Sequence, residues 1–246
     1  MELALDGSVV LVTGGARGVG LGVTRAFQSA GATVVICGRT QPDEPVADFL
    51  VCDIRDVEQI DAMVATIVDR YGRLDVLVNN AGGAPVADTS AASPRFHEAV
   101  IRLNLLAPLL VSQRANTVMQ QQDSGGSIVM ISSINGSRPA PQSVAYGAAK
   151  AGVNNSAASL AAEWAPKVRV NSLGVGMVRT EITEEAFADV LTDAAAAVPL
   201  GRLAEPSEVG ACAVFLASPL ASYVTGATLL VHGGGELPVY FKRETP

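Results

Sequence analysis

Short, nearly continuous runs of apolar and β-branched residues recur along the chain, and longer segments with helical spacing of their apolar positions lie between them. The runs predict seven strands, at Ser8–Val12, Thr33–Cys37, Phe49–Cys52, Leu74–Val78, Ser127–Ile131, Val168–Leu173 and Thr228–His232. Apolar and polar residues do not alternate within these runs, which is typical of strands covered by helices on both faces.

The intervening segments predict helices around Val19–Gln28, Val57–Tyr71, Phe96–Gln122, Tyr146–Ala165, Glu181–Ala197 and Ser207–Ala217. Repeated alternation of strand and helix implies right-handed crossovers and a doubly wound parallel sheet. The expected fold is therefore a single Rossmann-like α/β domain over residues 1–246, with a seven-stranded parallel sheet, helices on both faces and a tail at 236–246. Ligands bind such sheets outside the carboxyl ends of the strands, where the strand order reverses.

Composition and charge narrow the possible functions. The chain has 246 residues, of which 49% are hydrophobic and 17% charged, and no change in composition divides it. A net charge of −7 argues against a surface for nucleic acid or anionic membrane, whose phosphates would be repelled. Because Glu2 stands where a signal peptide has basic residues, we expect a cytoplasmic protein.

One long uncharged stretch, residues Gly210–Val231, raises the question of a membrane span. It contains Pro219 and Gly226, which favour a helix, a turn and a strand instead. The three cysteines, Cys37, Cys52 and Cys212, have unrelated spacings and are interpreted as small buried hydrophobes in a reducing cytosol. Neither histidine is near a cysteine, so no metal site is expected.

A glycine-rich segment, VTGGARGVG, follows the first predicted strand and leads into the first helix. Gly14, Gly18 and Gly20 would let the backbone turn tightly and approach a pyrophosphate at the helix N-terminus, with Val19 between the last two. The spacing is T-G-x-x-x-G-x-G rather than the G-x-G-x-x-G of the standard dinucleotide fingerprint. Its position in the chain favours a dinucleotide-binding function.

The end of the second strand should read the adenosine ribose, where an acid accepts from a free 2′-hydroxyl and an arginine accommodates a 2′-phosphate. Gly38 occupies the place of the acid and Arg39 follows it, while Arg17 lies in the glycine-rich segment. These residues favour NADP(H) over NAD(H). Asp43 and Glu44 could still reach a ribose, which keeps NAD(H) as an alternative.

Two further motifs complete a recognisable set. NNAG follows the fourth strand at Asn79–Gly82, and Y-x-x-x-K places Tyr146 and Lys150 on one helix. In order and spacing, the glycine pattern and these motifs resemble the short-chain dehydrogenase/reductase family over nearly the whole chain, from Thr13 to about Gly234.

The resemblance implies a set of site residues. Catalytic roles are expected for Asn104, which would place a water, for Ser133, which would hydrogen-bond the substrate oxygen, and for Tyr146 and Lys150. Lys150 would also hold the nicotinamide ribose. The cofactor site is expected at Gly14, Arg17, Gly18, Val19, Gly20, Arg39, Asp53, Ile54, Asn80, Ala81, Gly82, Tyr146, Lys150, Val178 and Thr180.

The tyrosine and the lysine also carry a chemical argument of their own. Positions four apart share a helix face, so the Lys150 ammonium should lie near the Tyr146 phenol. A nearby cation favours the phenolate and should lower the phenol pKa from about 10. Tyr146 would then act as a general acid in ketone reduction and as a general base in alcohol oxidation.

The sequence departs from the family pattern at two positions. Val175 replaces a usual proline after the sixth strand, and we expect a looser turn beside the nicotinamide. His232 replaces a common aspartate, with an expected effect on packing or subunit contacts rather than on chemistry.

The expected function is hydride transfer between NADP(H) and a carbonyl or secondary alcohol in a 3-oxoacyl thioester, a steroid or a small ketone. The alternatives are an NAD-linked alcohol dehydrogenase and a non-catalytic dinucleotide-binding scaffold. A sugar-nucleotide epimerase is disfavoured because no second substrate domain is present. A basic surface for a carrier protein could come from Arg102, Arg138, Arg179 and Arg202. The alanine-rich helix after Tyr146 favours a homo-oligomer, a tetramer or a dimer.

Overall fold

The computed structural model describes residues 5–186 and 191–235, and these form one α/β unit built on a seven-stranded sheet. The strands are β1 (Val9–Thr13), β2 (Thr33–Gly38), β3 (Asp48–Val51), β4 (Val76–Asn79), β5 (Gly126–Ser133), β6 (Val168–Val175) and β7 (Thr228–Val231). Every strand pair is parallel. The prediction of a doubly wound parallel sheet with seven strands is confirmed.

Eight α-helices connect and flank the strands in the described part of the chain. They are α1 (Gly18–Ser29), α2 (Val57–Tyr71), α3 (Pro94–Ile101), α4 (Ala107–Gln121), α5 (Val144–Trp164), α6 (Glu181–Ala186), α7 (Leu191–Ala197) and α8 (Pro206–Ala217). The predicted helix at Glu181–Ala197 thus contains α6 and α7, and its residues 187–190 lie outside the described part, as does the predicted tail at 236–246.

The strand order is β3-β2-β1-β4-β5-β6-β7, so the direction of winding reverses between β1 and β4. A crevice opens at such a reversal because the connections on its two sides leave in opposite directions. Thr13 and Asn79 end the two strands that flank it.

The sheet is buried on both faces, which explains its unbroken apolar strands. One face packs on α2, α4 and α5, and the other packs on α1 and α8. Cys37 and Cys52 are both buried in the first of these layers, whereas Cys212 is half-buried on α8. Their interpretation as small hydrophobes holds best for the first two.

Local signals fix the ends of several helices. Asp56 caps α2, where its carboxylate accepts hydrogen bonds from the backbone N–H groups of Glu58 and Gln59, and Gly72 ends the helix with a φ of 72°. A capping box between Glu205 and Glu208 starts α8. Such caps satisfy backbone groups that lack partners within the helix.

The segment Phe96–Gln122, predicted as one helix, is interrupted. A π-helical turn at Arg102–Leu106 separates α3 from α4, with the Ala107 N–H donating to the Arg102 carbonyl. The physical reason is Pro108: it has no N–H for the Asn104 carbonyl and cannot continue a regular ladder. The segment is helical as predicted, but the π-helical turn within it was not predicted, and this turn falls at a predicted site residue.

The uncharged stretch Gly210–Val231 folds as most of α8, a 3-10 turn at Pro219–Ala221 and β7, which confirms the helix, turn and strand interpretation. Among the residues that the structure describes, no helix is sufficiently long and apolar to cross a membrane.

Helices α1 and α8 cross at two glycines, which allows their backbones to approach closely. A Cβ atom added at Gly210 would lie 2.6 Å from the Gly22 carbonyl oxygen, and one at Gly22 would lie 2.4 Å from the Pro206 carbonyl. Real Cβ contacts are not this short, so the two positions require glycine for packing.

We expect Gly210→Ala to lower the free energy of unfolding by about 1–3 kcal/mol, because overpacking outweighs the better helix propensity of alanine. Urea unfolding measures this. Gly152→Ala on α5 is the matched control, since its added Cβ would meet only the flexible methyl groups of Leu105 at 3.0 Å. A Gly210→Ala protein as stable as the wild type would contradict the argument.

Candidate active site

Polar side chains follow the strands on both sides of the reversal. The segments after β1 and β4 carry the glycine-rich motif and NNAG, and Ser133 ends β5 next to them. Because the strands are parallel and adjacent, their carboxyl ends bring the predicted motifs to one edge of the sheet.

The glycine-rich turn leaves no room for side chains. Gly14 and Gly18 have φ values of 66° and 52°, in the region that favours glycine. A Cβ at Gly20 would lie 2.1 Å from the Gly14 carbonyl oxygen, and one at Gly15 would lie 2.4 Å from Ile36. The turn thus brings bare backbone to the N-terminus of α1, as binding of a pyrophosphate requires.

NNAG and the glycine-rich turn are hydrogen-bonded to each other. The Asn80 and Ala81 N–H groups both donate to the Thr13 hydroxyl at 3.0 Å. The Asn80 amide donates to the carbonyl oxygens of Thr13 and Gly14, at 2.9 and 3.1 Å. The two segments predicted to hold the dinucleotide therefore form one connected wall.

The predicted ribose-reading residues lie at the same edge. Arg39 follows β2 and Arg17 precedes α1, and both are exposed. Neither guanidinium has a hydrogen-bond partner within residues 5–186 and 191–235. A Cβ at Gly38 would only touch the Phe49 ring, at 3.4 Å, so a larger residue would fit there.

The side chains of Asp53 and Ile54, which were predicted to contact the adenine, are already engaged within the protein. The Arg55 guanidinium binds the Asp53 carboxylate at 2.6 Å and lowers the pKa of that carboxyl to about 2. The Ile54 side chain is buried in the core beneath β3. Both carboxylate oxygens of Asp53 already accept hydrogen bonds from Arg55, so the backbone of Ile54 is the part of this pair that is left to face an adenine.

The other predicted cofactor residues surround the glycine-rich turn. The Thr180 methyl group lies 3.5 Å from where a Cβ at Gly18 would sit, so Thr180 covers the turn. Val178 is buried and bridges to Ala204, which fixes the backbone just before Thr180. Val19 packs partly against the core, and its contribution to the site is limited to its backbone.

Lys150 is a buried cation at the base of the site. Its side chain is 5% exposed, and its Nζ donates to the Ile131 carbonyl oxygen at 2.8 Å. Burial lowers the pKa of this ammonium to about 8. The Nζ lies 5.5 Å from the centre of the Tyr146 ring, so the motif does bring the two side chains together on α5.

The Tyr146 phenol corrects one prediction. Burial raises its pKa above the ordinary value, and a hydrogen bond from Ser133 opposes this only in part. Lys150 lies beside the ring and donates to a carbonyl group rather than to the phenol oxygen. The predicted lowering of the Tyr146 pKa by Lys150 is therefore not a property of the chain itself.

Ser133 joins Tyr146 to the end of β5. Its hydroxyl interacts with the phenol and also accepts a hydrogen bond from the Asn135 N–H at 3.2 Å, which starts a 3-10 turn at Ile134–Gly136. The neighbouring Ser132 hydroxyl donates to the Lys150 carbonyl oxygen at 3.2 Å. These bonds hold α5 against the carboxyl end of β5.

Asn104 lies fully buried in the π-helical turn, and its side chain makes three hydrogen bonds. Its Oδ1 accepts from the Gly83 N–H at 2.8 Å, and its Nδ2 donates to the carbonyl oxygens of Gly83 and Val100. A Cβ at Gly82 would lie 2.7 Å from Asn104 Oδ1 and 3.5 Å from Lys150 Nζ. Asn104 thus clamps the loop after NNAG beside Lys150.

The two departures from the family pattern are both ordered. Val175 is buried as the last residue of β6, paired with Ser133 and Val231, so the expected looser turn is not found at this residue. The strand ladder restrains the backbone where proline usually does. His232 packs against Gly176, and its Nδ1 accepts from the Gly234 N–H, which agrees with a packing role.

Sequence reasoning missed several residues that shape the site. The Thr13 hydroxyl and the Ile131 carbonyl hold NNAG and Lys150 in place, and Gly83 is the partner of Asn104. Only Pro108 offered a signal in the sequence, since it marks the interrupted helix at Asn104. The other contacts depend on the tertiary structure.

The described residues suit a dinucleotide with its nicotinamide end near Tyr146. The bare glycine-rich turn and the α1 N-terminus fit a pyrophosphate, the exposed arginines fit the ribose end, and the buried cation lies near Tyr146. A bound nicotinamide would supply the group that accepts or donates hydride. The chain supplies a tyrosine hydroxyl that can exchange a proton and a serine that can orient a substrate oxygen.

Known proteins are similar to this chain. Residues 14–236 match a family model described as enoyl-(acyl carrier protein) reductase. The chain is similar to an L-fucose dehydrogenase of Bos taurus, with 39% identity over 94% of this chain and 90% of the relative. It is also similar to a D-threitol dehydrogenase of Mycolicibacterium smegmatis, with 33% identity over 95% of this chain and 94% of the relative.

A solved structure extends the likeness to three dimensions. The ligand-free aldohexose dehydrogenase of Thermoplasma acidophilum superposes with a TM-score of 0.94 and 28% identity, and the match covers 100% of both chains.

Proposed function

The chain belongs to the short-chain dehydrogenase/reductase family, whose members act on CH–OH groups with NAD(P), and from this we propose that it interconverts a secondary alcohol and a ketone in a small polyhydroxylated substrate with NADP(H). The observation that carries the proposal is the grouping of Ser133, Tyr146 and Lys150 beside the glycine-rich turn. The geometry suits hydride transfer coupled to transfer of one proton.

In the proposed reaction, Tyr146 takes the hydroxyl proton during oxidation and returns it during reduction. Ser133 donates to the substrate oxygen as negative charge develops there. Lys150 holds the nicotinamide ribose from the base of the site, where its Nζ lies 5.5 Å from the centre of the Tyr146 ring. Asn104 holds the backbone of Gly83, next to Gly82 and Lys150.

The preference for NADP(H) rests on two exposed arginines and on Gly38. Arg17 and Arg39 can bind a 2′-phosphate with charge-assisted hydrogen bonds. Gly38 brings no carboxylate to repel that phosphate.

We expect Gly38→Asp to reverse the cofactor preference, lowering NADPH affinity by about tenfold or more and raising that for NADH, since the carboxylate repels a phosphate and accepts from a ribose hydroxyl. Fluorescence titration with each cofactor measures both constants. Gly38→Asn is the control of equal size, and it should weaken NADPH binding far less. Unchanged preference in Gly38→Asp would remove the basis for an NADP(H) enzyme.

The substrate class rests on the relatives and on the surface arginines. The relatives are named for fucose, threitol and aldohexoses, which all carry several hydroxyl groups. Arg179 pairs with Glu184 and Glu205, and Arg202 pairs with Glu208. Two of the four arginines suggested for a carrier protein are thus already neutralised, which favours a free small molecule over a carrier-bound acyl group.

The proposed function is tested by oxidation assays with NADP⁺ and NAD⁺ on L-fucose, D-threitol, aldohexoses, a hydroxysteroid and a 3-hydroxyacyl thioester. Higher kcat/KM on the polyhydroxylated compounds with NADP⁺ would support it. Higher kcat/KM on the steroid or the thioester would replace the substrate class. Cofactor binding without turnover of any compound would favour the scaffold alternative.

A homo-oligomer is also part of the proposal. Alanines at 148, 151, 158 and 162 leave one side of α5 exposed and flat, and Leu229, Leu230 and Tyr223 expose apolar surface at the edge strand β7. Such surfaces on a chain of this size favour association with a second copy. Light scattering after size-exclusion chromatography would separate a tetramer or dimer from a monomer.

A further inference from the structure

A small recess opens beside Tyr146, away from the glycine-rich turn. The loop after β4, α3 and the start of α5 form its walls, which include Thr89, His97 and Gln142. Its volume is about 10 Å³, which holds about one water molecule or one hydroxyl group. We call it the hydroxyl recess.

The polar side chains of the hydroxyl recess are not used by the fold. In the part of the chain that the structure describes, the side chains of Thr89, His97 and Gln142 have no hydrogen-bond partners. His97 packs its ring edge-on against Phe96 at 5.5 Å, which fixes the ring while leaving its nitrogens open. A hydroxyl group can both donate and accept, so it can satisfy an imidazole nitrogen and an amide together.

Gln142 adds a second observation. With a φ of 60°, it is the one residue other than glycine in the left-handed region among residues 5–186 and 191–235. Glutamine is not a residue that favours this conformation, and such strained positions persist where the surroundings fix them, often at functional sites. Here the Gln142 carbonyl accepts from the Ala87 N–H at 3.0 Å, which ties the start of α5 to the loop after β4.

Glycine or asparagine would suit this backbone better, and either would keep the Ala87 hydrogen bond. The glutamine side chain is therefore not required for the turn itself. Gln142 lies four residues before Tyr146, is exposed, and lines the recess.

We propose that the hydroxyl recess binds a second hydroxyl group of the substrate, one that is not oxidised, through Gln142 and His97, with Thr89 beside them. The recess thereby selects polyhydroxylated alcohols over simple ones and orients the reacting carbon toward Tyr146. This inference rests on the proposed function, because it assigns the substrate specificity of the same site.

The test compares D-threitol with (2R,3R)-2,3-butanediol. Both have the same carbon chain and the same two secondary hydroxyl groups, and only the threitol carries terminal hydroxyls. For the wild-type enzyme we expect kcat/KM to be about tenfold or more higher with D-threitol, as expected for hydrogen bonds that the diol cannot make.

Three variants test whether the preference for D-threitol depends on Gln142 and His97. Gln142→Gly and His97→Phe should each reduce the ratio of the two kcat/KM values several-fold, mainly through KM for D-threitol. Gln142→Asn keeps an amide and suits the backbone, so it should retain more of the ratio than Gln142→Gly. A merely structural lesion would instead lower kcat/KM for both substrates in proportion.

The outcomes separate the two proposals. If the wild-type enzyme oxidises both compounds with equal kcat/KM, or if the ratio survives in both Gln142→Gly and His97→Phe, the hydroxyl recess is not a specificity site. If it oxidises neither compound with NADP⁺ or NAD⁺ while it oxidises the steroid or the thioester, the polyhydroxylated substrate class fails, and the recess assignment fails with it.

Discussion

Replacing Tyr146 with phenylalanine is expected to lower kcat about a thousandfold while the dissociation constant for NADPH changes by less than about threefold. The Tyr146 hydroxyl interacts with Ser133 within the crevice, and general acid–base catalysis is worth about 10² to 10⁴ in rate. The pyrophosphate and ribose contacts are expected from the glycine-rich turn and the arginines, which the substitution does not alter. Steady-state assays and a fluorescence titration measure the two quantities.

Tyr71→Phe is the matched control for this change. The Tyr71 hydroxyl donates to the Asp48 carboxylate at 2.8 Å, at the end of α2, and takes no part in the site. Its loss should cost about 1 kcal/mol of stability and no turnover. Retained turnover in Tyr146→Phe would remove the tyrosine as the acid and base, whatever the control shows.

The sheet and the positions of the motifs could be read from the chain because each is a local pattern. Apolar runs predicted all seven strands to within a few residues, and glycines or polar motifs mark the ends that face the crevice. Parallel strands then bring those ends together without further information. For this reason the glycines after β1, the NNAG residues after β4, Ser133 at the end of β5 and the pair on α5 could be predicted from the sequence.

What could not be read depends on distances between segments far apart in the chain. Spacing alone predicted Tyr146 and Lys150 as neighbours, but whether burial or charge controls the phenol pKa depends on packing around α5. The left-handed backbone of Gln142 has no sequence signal either, since glutamine is rare in that conformation. Its partner, Ala87, lies on another loop.

The π-helical turn at Asn104 could be predicted from the sequence only in part. Pro108 lacks an N–H donor and so indicates an irregular helix, but proline is also tolerated in the first turn of a helix. The residue type alone therefore does not distinguish the two. Only the clamp between Asn104 and Gly83 shows why the irregular turn is retained, because it fixes the loop that faces Lys150. Here a local irregularity serves the site rather than the stability of the helix.

Lys150 is a second residue that serves the site rather than the stability of the fold. Burial lowers its pKa from about 10.4 to about 8, so its positive charge destabilises the folded protein at neutral pH. At full burial this corresponds to a cost of roughly 3 kcal/mol at most. Its hydrogen bond to the Ile131 carbonyl offsets part of that cost.

Lys150→Met is therefore expected to lower kcat by about a hundredfold or more, because the group proposed to hold the nicotinamide ribose is lost, without lowering stability at pH 7. The methionine fills similar space but leaves the Ile131 carbonyl without its donor, which costs about 1–3 kcal/mol and balances the gain. Lys167→Met is the matched control: its exposed ammonium binds the carbonyl oxygens of Gln120 and Gln122, and its loss should leave kcat unchanged.

The pH dependence of unfolding tests whether burial of the Lys150 charge lowers the stability of the folded protein. Between about pH 8 and 10.4 the folded wild type loses the Lys150 proton while the unfolded chain keeps it, so Lys150 contributes a rise in stability with pH in this window. Lys150→Met lacks this contribution, and its stability relative to the wild type should fall between pH 7 and pH 9.5 in urea unfolding. Parallel pH profiles for the two proteins would mean that Lys150 is not destabilised by burial, and its charge would then have to be balanced by a group other than the Ile131 carbonyl.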